Sequence, residues 1–186
     1  MEDELNAFVE GAMASIIKTV KSVGVLCFSS KNDNHLMWSH YSDSHRGFCI
    51  EYDRDLEEKI WKATRRVNYV DNLSELFNGT LEYIAKWKVH GFVPLKEVKE
   101  NSENIIYTKN SHWSYENEWR LIDGNSGSGL TTLPIDIARI IFGFRMTTAD
   151  RETVYNLTKN ISGIKYSQCN GAINNDFSME IDDLPW

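Results

Sequence analysis

The sequence predicts an α+β fold: a single mixed, mostly antiparallel sheet of roughly six to eight strands with helices packed against it. Short apolar runs of strand length, such as Val25–Ser30, Gly47–Asp53 and Ile137–Phe144, are bounded by turn-forming residues. Other stretches repeat apolar residues at three- and four-residue steps, the spacing of one helix face. The chain has 186 residues, the size of one domain able to bury its own core. The expected organisation is an N-terminal amphipathic helix over 1–23 followed by one α+β domain over 24–186.

Each element has a local reason. Leu5, Phe8, Val9, Ala12, Ile16, Val20 and Val23 form one stripe in the first 23 residues, and a stripe of that kind needs a partner surface. Gly24 ends the helix, and Val25–Ser30 follows as a buried strand. Asn32 or Asp33 is expected to cap a helix over His35–His45, which Arg46-Gly47 closes. Gly47–Asp53 is the second strand, Leu56–Trp61 a short helix or turn, and Arg65–Val70 a third strand. A helix is expected over Leu73–His90, with a mixed stretch to Tyr107 and then a strand over Tyr115–Ile122. Asp123–Gly129 holds three glycines and two serines in seven residues, the composition of a flexible hairpin or lid. Ile137–Phe144 is a strand, Thr147 or Thr148 caps a helix over Ala149–Ile161, and Ile164–Gln168 and Phe177–Ile181 close the sheet.

Composition excludes several classes. Acids outnumber bases 27 to 20, a formal charge of −7, with 41% hydrophobic and 25% charged residues. That balance argues against a phosphate-backbone binder, and two short basic clusters do not reverse it. No apolar run reaches the roughly 18–20 residues of a membrane span, and Met1-Glu2-Asp3-Glu4 does not open like a signal peptide. Three cysteines, Cys27, Cys49 and Cys169, read as reduced, buried thiols of a cytoplasmic protein. His35, His40 and His45 are spaced by five residues, which turns each about 140° from the last on a helix. No metal site is expected from them.

Two segments could carry chemistry. In the helix Leu36–His45, Trp38, Tyr41 and His45 share one face and Met37, His40 and Ser44 the next. Such a stripe is either core or a pocket wall, where aromatic faces hold a planar ligand and polar tips donate hydrogen bonds. In a strand over Tyr115–Ile122, Glu116, Glu118 and Arg120 would line one face, with Tyr115, Asn117, Trp119 and Leu121 on the other. Two like charges and a neighbouring arginine can set the two carboxylates to different pKa values, or simply form a solvated charge ladder.

The run Leu26-Cys27-Phe28-Ser29, then Leu36-Met37-Trp38-Ser39-His40-Tyr41, then His45-Arg46-Gly47-Phe48-Cys49-Ile50-Glu51-Tyr52-Asp53 resembles a bacterial and phage family. Tyr115-Glu116, Glu118-Trp119-Arg120 and Ile140-Ile141-Phe142-Gly143 belong to the same pattern. It is the domain-of-unknown-function family 2971, and the resemblance covers about 24–170. The Tyr-Lys-Tyr-like and Asn-Asp-Pro-Phe motifs that its members usually carry near the N-terminus have no match here, which implies a shortened member or a fragment. A second similarity is to ADP-ribosyltransferase-type NAD-binding folds. Phe28-Ser29-Ser30 matches their serine strand and Glu116-Asn117-Glu118 their glutamate strand, while their early-strand arginine or histidine has no counterpart.

These similarities imply an NAD-using ADP-ribosyltransferase-like or NAD-glycohydrolase-like enzyme, with NAD as substrate. Glu118 would steady the oxocarbenium-like sugar as nicotinamide leaves. Glu116 would orient the acceptor, Ser29 would complete the catalytic set, and Trp38 or Tyr41 would stack on nicotinamide. His40, His45, Trp119 and Arg120 complete the expected ligand-binding set. The alternative is a non-catalytic ligand-binding or regulatory module, or a subunit that docks on a partner or a second copy through helix 1–23. The expected partner is a small nucleotide-like ligand, with neither nucleic acid nor membrane.

Overall fold

A computed structural model describes residues 20–53, 58–72, 103–123, 136–175 and 178–186, with scattered positions between 6 and 18 and between 82 and 89. The chain divides into two compact units. Unit one comprises Met1–Phe28, Ala63–Ser114 and Glu118–Thr131; unit two comprises Ser29–Lys62, Tyr115–Asn117 and Thr132–Trp186. Most of the stripe expected over 1–23, most of the helix expected over 73–90 and the glycine-rich 124–129 lie outside the described residues. Between Asn6 and Ser22 the described positions are helical, and Asn6, Glu10, Gly11 and Lys18, none of them part of the expected stripe, are exposed.

The single sheet expected from the sequence is corrected to three sheets among the described residues. In unit one, β1 (Gly24–Ser29), β6 (Glu118–Asp123) and β3 (Arg65–Arg66) lie in the order β1-β6-β3. The third expected strand, Arg65–Val70, breaks at Val67. Its first half pairs antiparallel with β6, and its second half, β4 (Asn68–Val70), runs parallel to β5 (Thr108–Asn110). Val67 is the hinge of that division: its side chain is buried and its N–H bonds to the Glu118 carbonyl at 2.9 Å.

Unit two is built on the sheet β2 (Phe48–Tyr52), β7 (Ile137–Phe142), β8 (Lys165–Ile173) and β9 (Met179–Asp183), in that order. β2–β7 and β8–β9 are antiparallel, and β7–β8 are parallel. A parallel pair cannot be joined by a hairpin. The chain crosses over through helix α3 (Thr148–Thr158), which Thr147 caps by accepting the Asp150 N–H. The other helices are α1 (His35–Tyr41) and α2 (Glu58–Ala63).

Strand alternation sends successive β7 residues to opposite sides and so makes two cores. Ile140 and Phe142 pack with Met146 and Tyr166 and with Val154 and Tyr155 of α3. Ile141 packs with Trp38 of α1, Cys169 and Met179. Trp186 closes the first core, its ring centroid 4.8 Å from that of Tyr155 and 5.6 Å from that of Phe142. Of the three cysteines expected to be buried, Cys169 is, Cys49 is half-buried, and Cys27 is exposed; all three are free thiols.

Helix α1 is shorter than expected. Its cap is Asn34, whose side chain accepts the Leu36 and Met37 N–H groups, not Asn32 or Asp33. It ends at Tyr41, because Asp43, Ser44 and His45 all adopt positive φ, at 48°, 52° and 69°. The left-handed turn fits against the end of β7, where the Gly143 N–H bonds to the Gly47 carbonyl and the Arg145 N–H to the His45 carbonyl. A Cβ on Gly143 would sit 2.1 Å from the His45 carbonyl oxygen and 2.7 Å from its carbon. Backbone on both sides leaves nothing flexible to yield. Gly143→Ala is therefore expected to destabilise unit two by roughly 3 kcal/mol, read as a lowered urea midpoint, whereas Gly163→Ala meets no atom and loses only its favourable left-handed φ.

Candidate functional site

The strand expected over Tyr115–Ile122 is interrupted. Ser111–Glu116 is a 3-10 helix, Asn117 takes φ 47°, and only from Glu118 is the chain extended. Asparagine tolerates that conformation better than other side-chain-bearing residues. The three-residue ladder is therefore corrected: Glu118 and Arg120 share a strand face, while Glu116 belongs to the preceding turn.

In unit one, Glu118 is bonded at every polar group. The Arg120 guanidinium donates to both carboxylate oxygens, Nε to Oε1 at 2.7 Å and Nη2 to Oε2 at 2.9 Å. Lys109 Nζ adds a bond to Oε2 at 3.1 Å. The Glu118 N–H donates to the Tyr69 hydroxyl at 2.9 Å, and its carbonyl accepts from Val67. Arg120 also donates to the Ile106 carbonyl. Glu118 is only 5% exposed. Burial pushes its pKa up, but the bonds from Arg120, Cys27 and Lys109 outweigh burial and hold it at about 2. The Cys27 thiol is pushed up to about 11, by desolvation first and then by its bond to the Glu118 carboxylate. Trp119 is half-buried on β6, where it pairs in register with Arg66.

In unit two, Ser29, Tyr41 and Glu116 come together. The Ser29 hydroxyl donates to the Glu116 carbonyl at 2.7 Å and accepts the Lys31 N–H at 3.1 Å. Tyr41, 61% exposed, donates its hydroxyl to Oε1 of buried Glu116 at 2.6 Å. The His40 ring lies 6.1 Å from Tyr115, centroid to centroid. The face expected to join Trp38, Tyr41 and His45 does not exist, because the helix stops before His45. Trp38 goes into the core with its indole N–H on the Asn32 carbonyl at 2.7 Å. His45 is 5% exposed, stacked on His35 at 4.8 Å and tilted against Phe144 at 4.8 Å. Its Nε2 lies 3.0 Å from the Ser39 hydroxyl.

Unit two also contains a cavity of about 310 Å³, lined by Lys31, Asp33, Asn34, His35, Leu36, Tyr115, Asn117 and Ser178. Asn34 and Asn117 each donate a side-chain N–H to the Tyr115 carbonyl at 3.1 Å, which fixes the segment carrying the Tyr115 ring. A lysine, an aspartate, a histidine and a tyrosine thus line one small cavity. None of the expected site residues lines this space, although Tyr115 and Asn117 flank Glu116 in sequence. Sequence reasoning takes Asp33 only as a possible cap and His35 only as one of three evenly spaced histidines, and does not point to Lys31. Their signal is the dense polar run Lys31-Asn32-Asp33-Asn34-His35, which reads locally as no more than a turn and a cap. Lys109 and Tyr69 were also missed, since nothing in their neighbourhoods marks them as partners of Glu118.

With this geometry in hand, comparison with known proteins supports the family resemblance. A family model described as "Protein of unknown function (DUF2971)" matches residues 37–121, which bears out the resemblance carried by the Met37–Tyr41 block. No curated protein and no solved structure matches the chain. No helix among the described residues is long and apolar enough to cross a membrane.

The Glu118 network makes unit one sensitive to acid. A carboxyl held at about 2 in the folded chain, against an ordinary 4.5, contributes stability that is complete above the unfolded value. That contribution disappears as pH falls from about 4.5 to about 2. Glu118→Gln leaves Arg120 without its anion and is expected to cost roughly 3 kcal/mol at neutral pH. The expected readout is a lower urea midpoint at pH 7, with the gap to the unaltered chain closing near pH 2.

Proposed function

From a chain whose residues 37–121 match the DUF2971 family, we propose a ligand-binding module that takes a small nucleotide-like molecule in the unit-two cavity. The observation that carries this reading is the cavity wall itself. Its volume of about 310 Å³ is at the lower end for small-molecule sites, enough for a nucleoside-sized group and too small to enclose a whole dinucleotide. Tyr115 and His35 offer flat faces to a base or nicotinamide ring. The Lys31 ammonium suits a phosphate as a point charge, and the Asp33 carboxylate accepts from ribose hydroxyls.

An NAD-consuming enzyme built on Glu118 is the second reading, and one observation favours it: a carboxylate held at about 2 is always charged, as stabilisation of an oxocarbenium-like sugar requires. The bonding pattern weighs against it. Both oxygens are already engaged by a guanidinium and an ammonium group, so a substrate hydroxyl would have to displace one of them. A binding module needs no such exchange.

Thermal stabilisation by NAD, ADP-ribose and nicotinamide separates the two readings. A ligand near 100 times its dissociation constant adds about 2.7 kcal/mol, a rise of several degrees for a chain of this size. The module reading expects a rise with NAD or ADP-ribose that Lys31→Glu and Tyr115→Ala abolish, and no NAD consumption. NAD consumption by the unaltered chain and not by Glu118→Gln would replace the module with the enzyme. No rise with any of the three ligands would remove the nucleotide-like ligand altogether.

A further inference from the structure

His45 is held in an unusual way. Its backbone is the third of three successive left-handed residues, and its carbonyl is pressed against the end of β7. Its ring is buried between His35, from α1, and Phe144, from the segment after β7. Nε2 has the Ser39 hydroxyl, while Nδ1 is buried with no hydrogen-bonding partner among the described residues. That pattern fits a neutral ring with the proton on Nε2, because an Nδ1 lone pair costs less to bury unpaired than an N–H does.

A second proton has nowhere to go. It would place a charged N–H at a buried position that offers no acceptor. Two neighbours disfavour a charged ring: His35 across the stack and Arg145 beyond the end of β7. Within the turn, Asp43 and Arg46 lie 3.8 Å apart and pair with each other. His35, in turn, shares the cavity wall with Asp33. Burial first, and then His35 and Arg145, hold the His45 imidazole below its ordinary value of 6.5.

We propose that the turn Ser42–Gly47 is an acid-released latch, closed while the His45 ring is neutral and stacked, and that its release loosens the cavity wall through His35. The coupling to ligand rests on the cavity being the binding site; the latch itself does not. The sign follows from linkage. A histidine whose folded value is depressed favours the closed turn fully above the ordinary value, and this preference is lost as pH falls below it. Opening frees the Gly47 and Arg145 amides, which bond to the Ser42 and His45 carbonyls when the turn is closed.

Amide hydrogen exchange measures the latch directly, with Ile140–Phe142 of β7 as the internal reference for the pH dependence of exchange itself. Between roughly pH 8 and pH 5, exchange at Gly47 and Arg145 is expected to rise relative to β7. The rise approaches tenfold per pH unit until the folded-state value is passed. His45→Asn, which tolerates positive φ and does not titrate, should abolish that rise. A flat ratio in the unaltered chain, or the same rise in His45→Asn, would overturn the latch. Should the variant fail to fold, a histidine NMR titration of the unaltered chain decides: the His45 transition must coincide with the exchange midpoint, and separate midpoints refute the proposal. ADP-ribose affinity should fall with the same midpoint. Affinity that is unchanged or higher at acid pH would refute the coupling, and no ADP-ribose binding at any pH would count against the cavity while exchange still judges the latch.

Discussion

At the end of β7 two stretches of main chain meet with no side chain between them. The Gly143 N–H bonds to the Gly47 carbonyl at 2.9 Å, and the Arg145 N–H bonds to the His45 carbonyl at 3.1 Å. To bring those carbonyls there, the chain leaves helix α1 after Tyr41 and passes through three left-handed residues. Each such residue costs roughly 1–2 kcal/mol in a chain of L-amino acids. The contact that offsets this cost fixes where α1 stops. It therefore fixes which α1 side chains enter the core, where His45 lies beneath His35, and how the wall carrying His35 and Leu36 faces the cavity. Unit two depends on that backbone approach more than on any single side chain.

The two glutamates of the Tyr115–Ile122 segment show how one turn separates roles that look alike in sequence. Glu118 is anchored through its N–H, its carbonyl and both carboxylate oxygens. A charge so fully compensated holds β6 to its neighbours. Glu116 is equally buried, yet its carboxylate takes a bond from the hydroxyl of an exposed tyrosine. The positive φ of Asn117 lies between the two. It rotates the chain out of strand alternation and assigns the carboxylates to different environments.

Much of the architecture was legible because it follows from local pattern. The apolar runs around Cys27, Ile50 and Ile140 became β1, β2 and β7 within a residue or two. Thr147 caps α3 as its hydroxyl and the acid at Asp150 indicated. The Met37–Tyr41 block carried the family resemblance, which the match over 37–121 bears out. The candidate site was read less well. Tyr41, Ser29 and Glu116 do meet, but the cavity is lined by residues from a cap, a turn and the end of a bridge, Asn34 with Ser178. Such residues carry no periodicity, so no window of sequence marks them as one wall.

What the sequence by itself determined is set by neighbours a few residues apart: the apolar runs that became β1, β2 and β7, and the cap that Thr147 places on α3. Tertiary structure decided how many sheets those strands form, where α1 ends, and which glutamate meets Arg120 and Lys109 and which takes a bond from an exposed tyrosine. The physical reason is the range of the forces. Propensity and periodicity act along the chain, whereas Lys109 reaching Glu118, and Gly143 admitting the His45 carbonyl, are encounters between segments whose proximity exists only after folding.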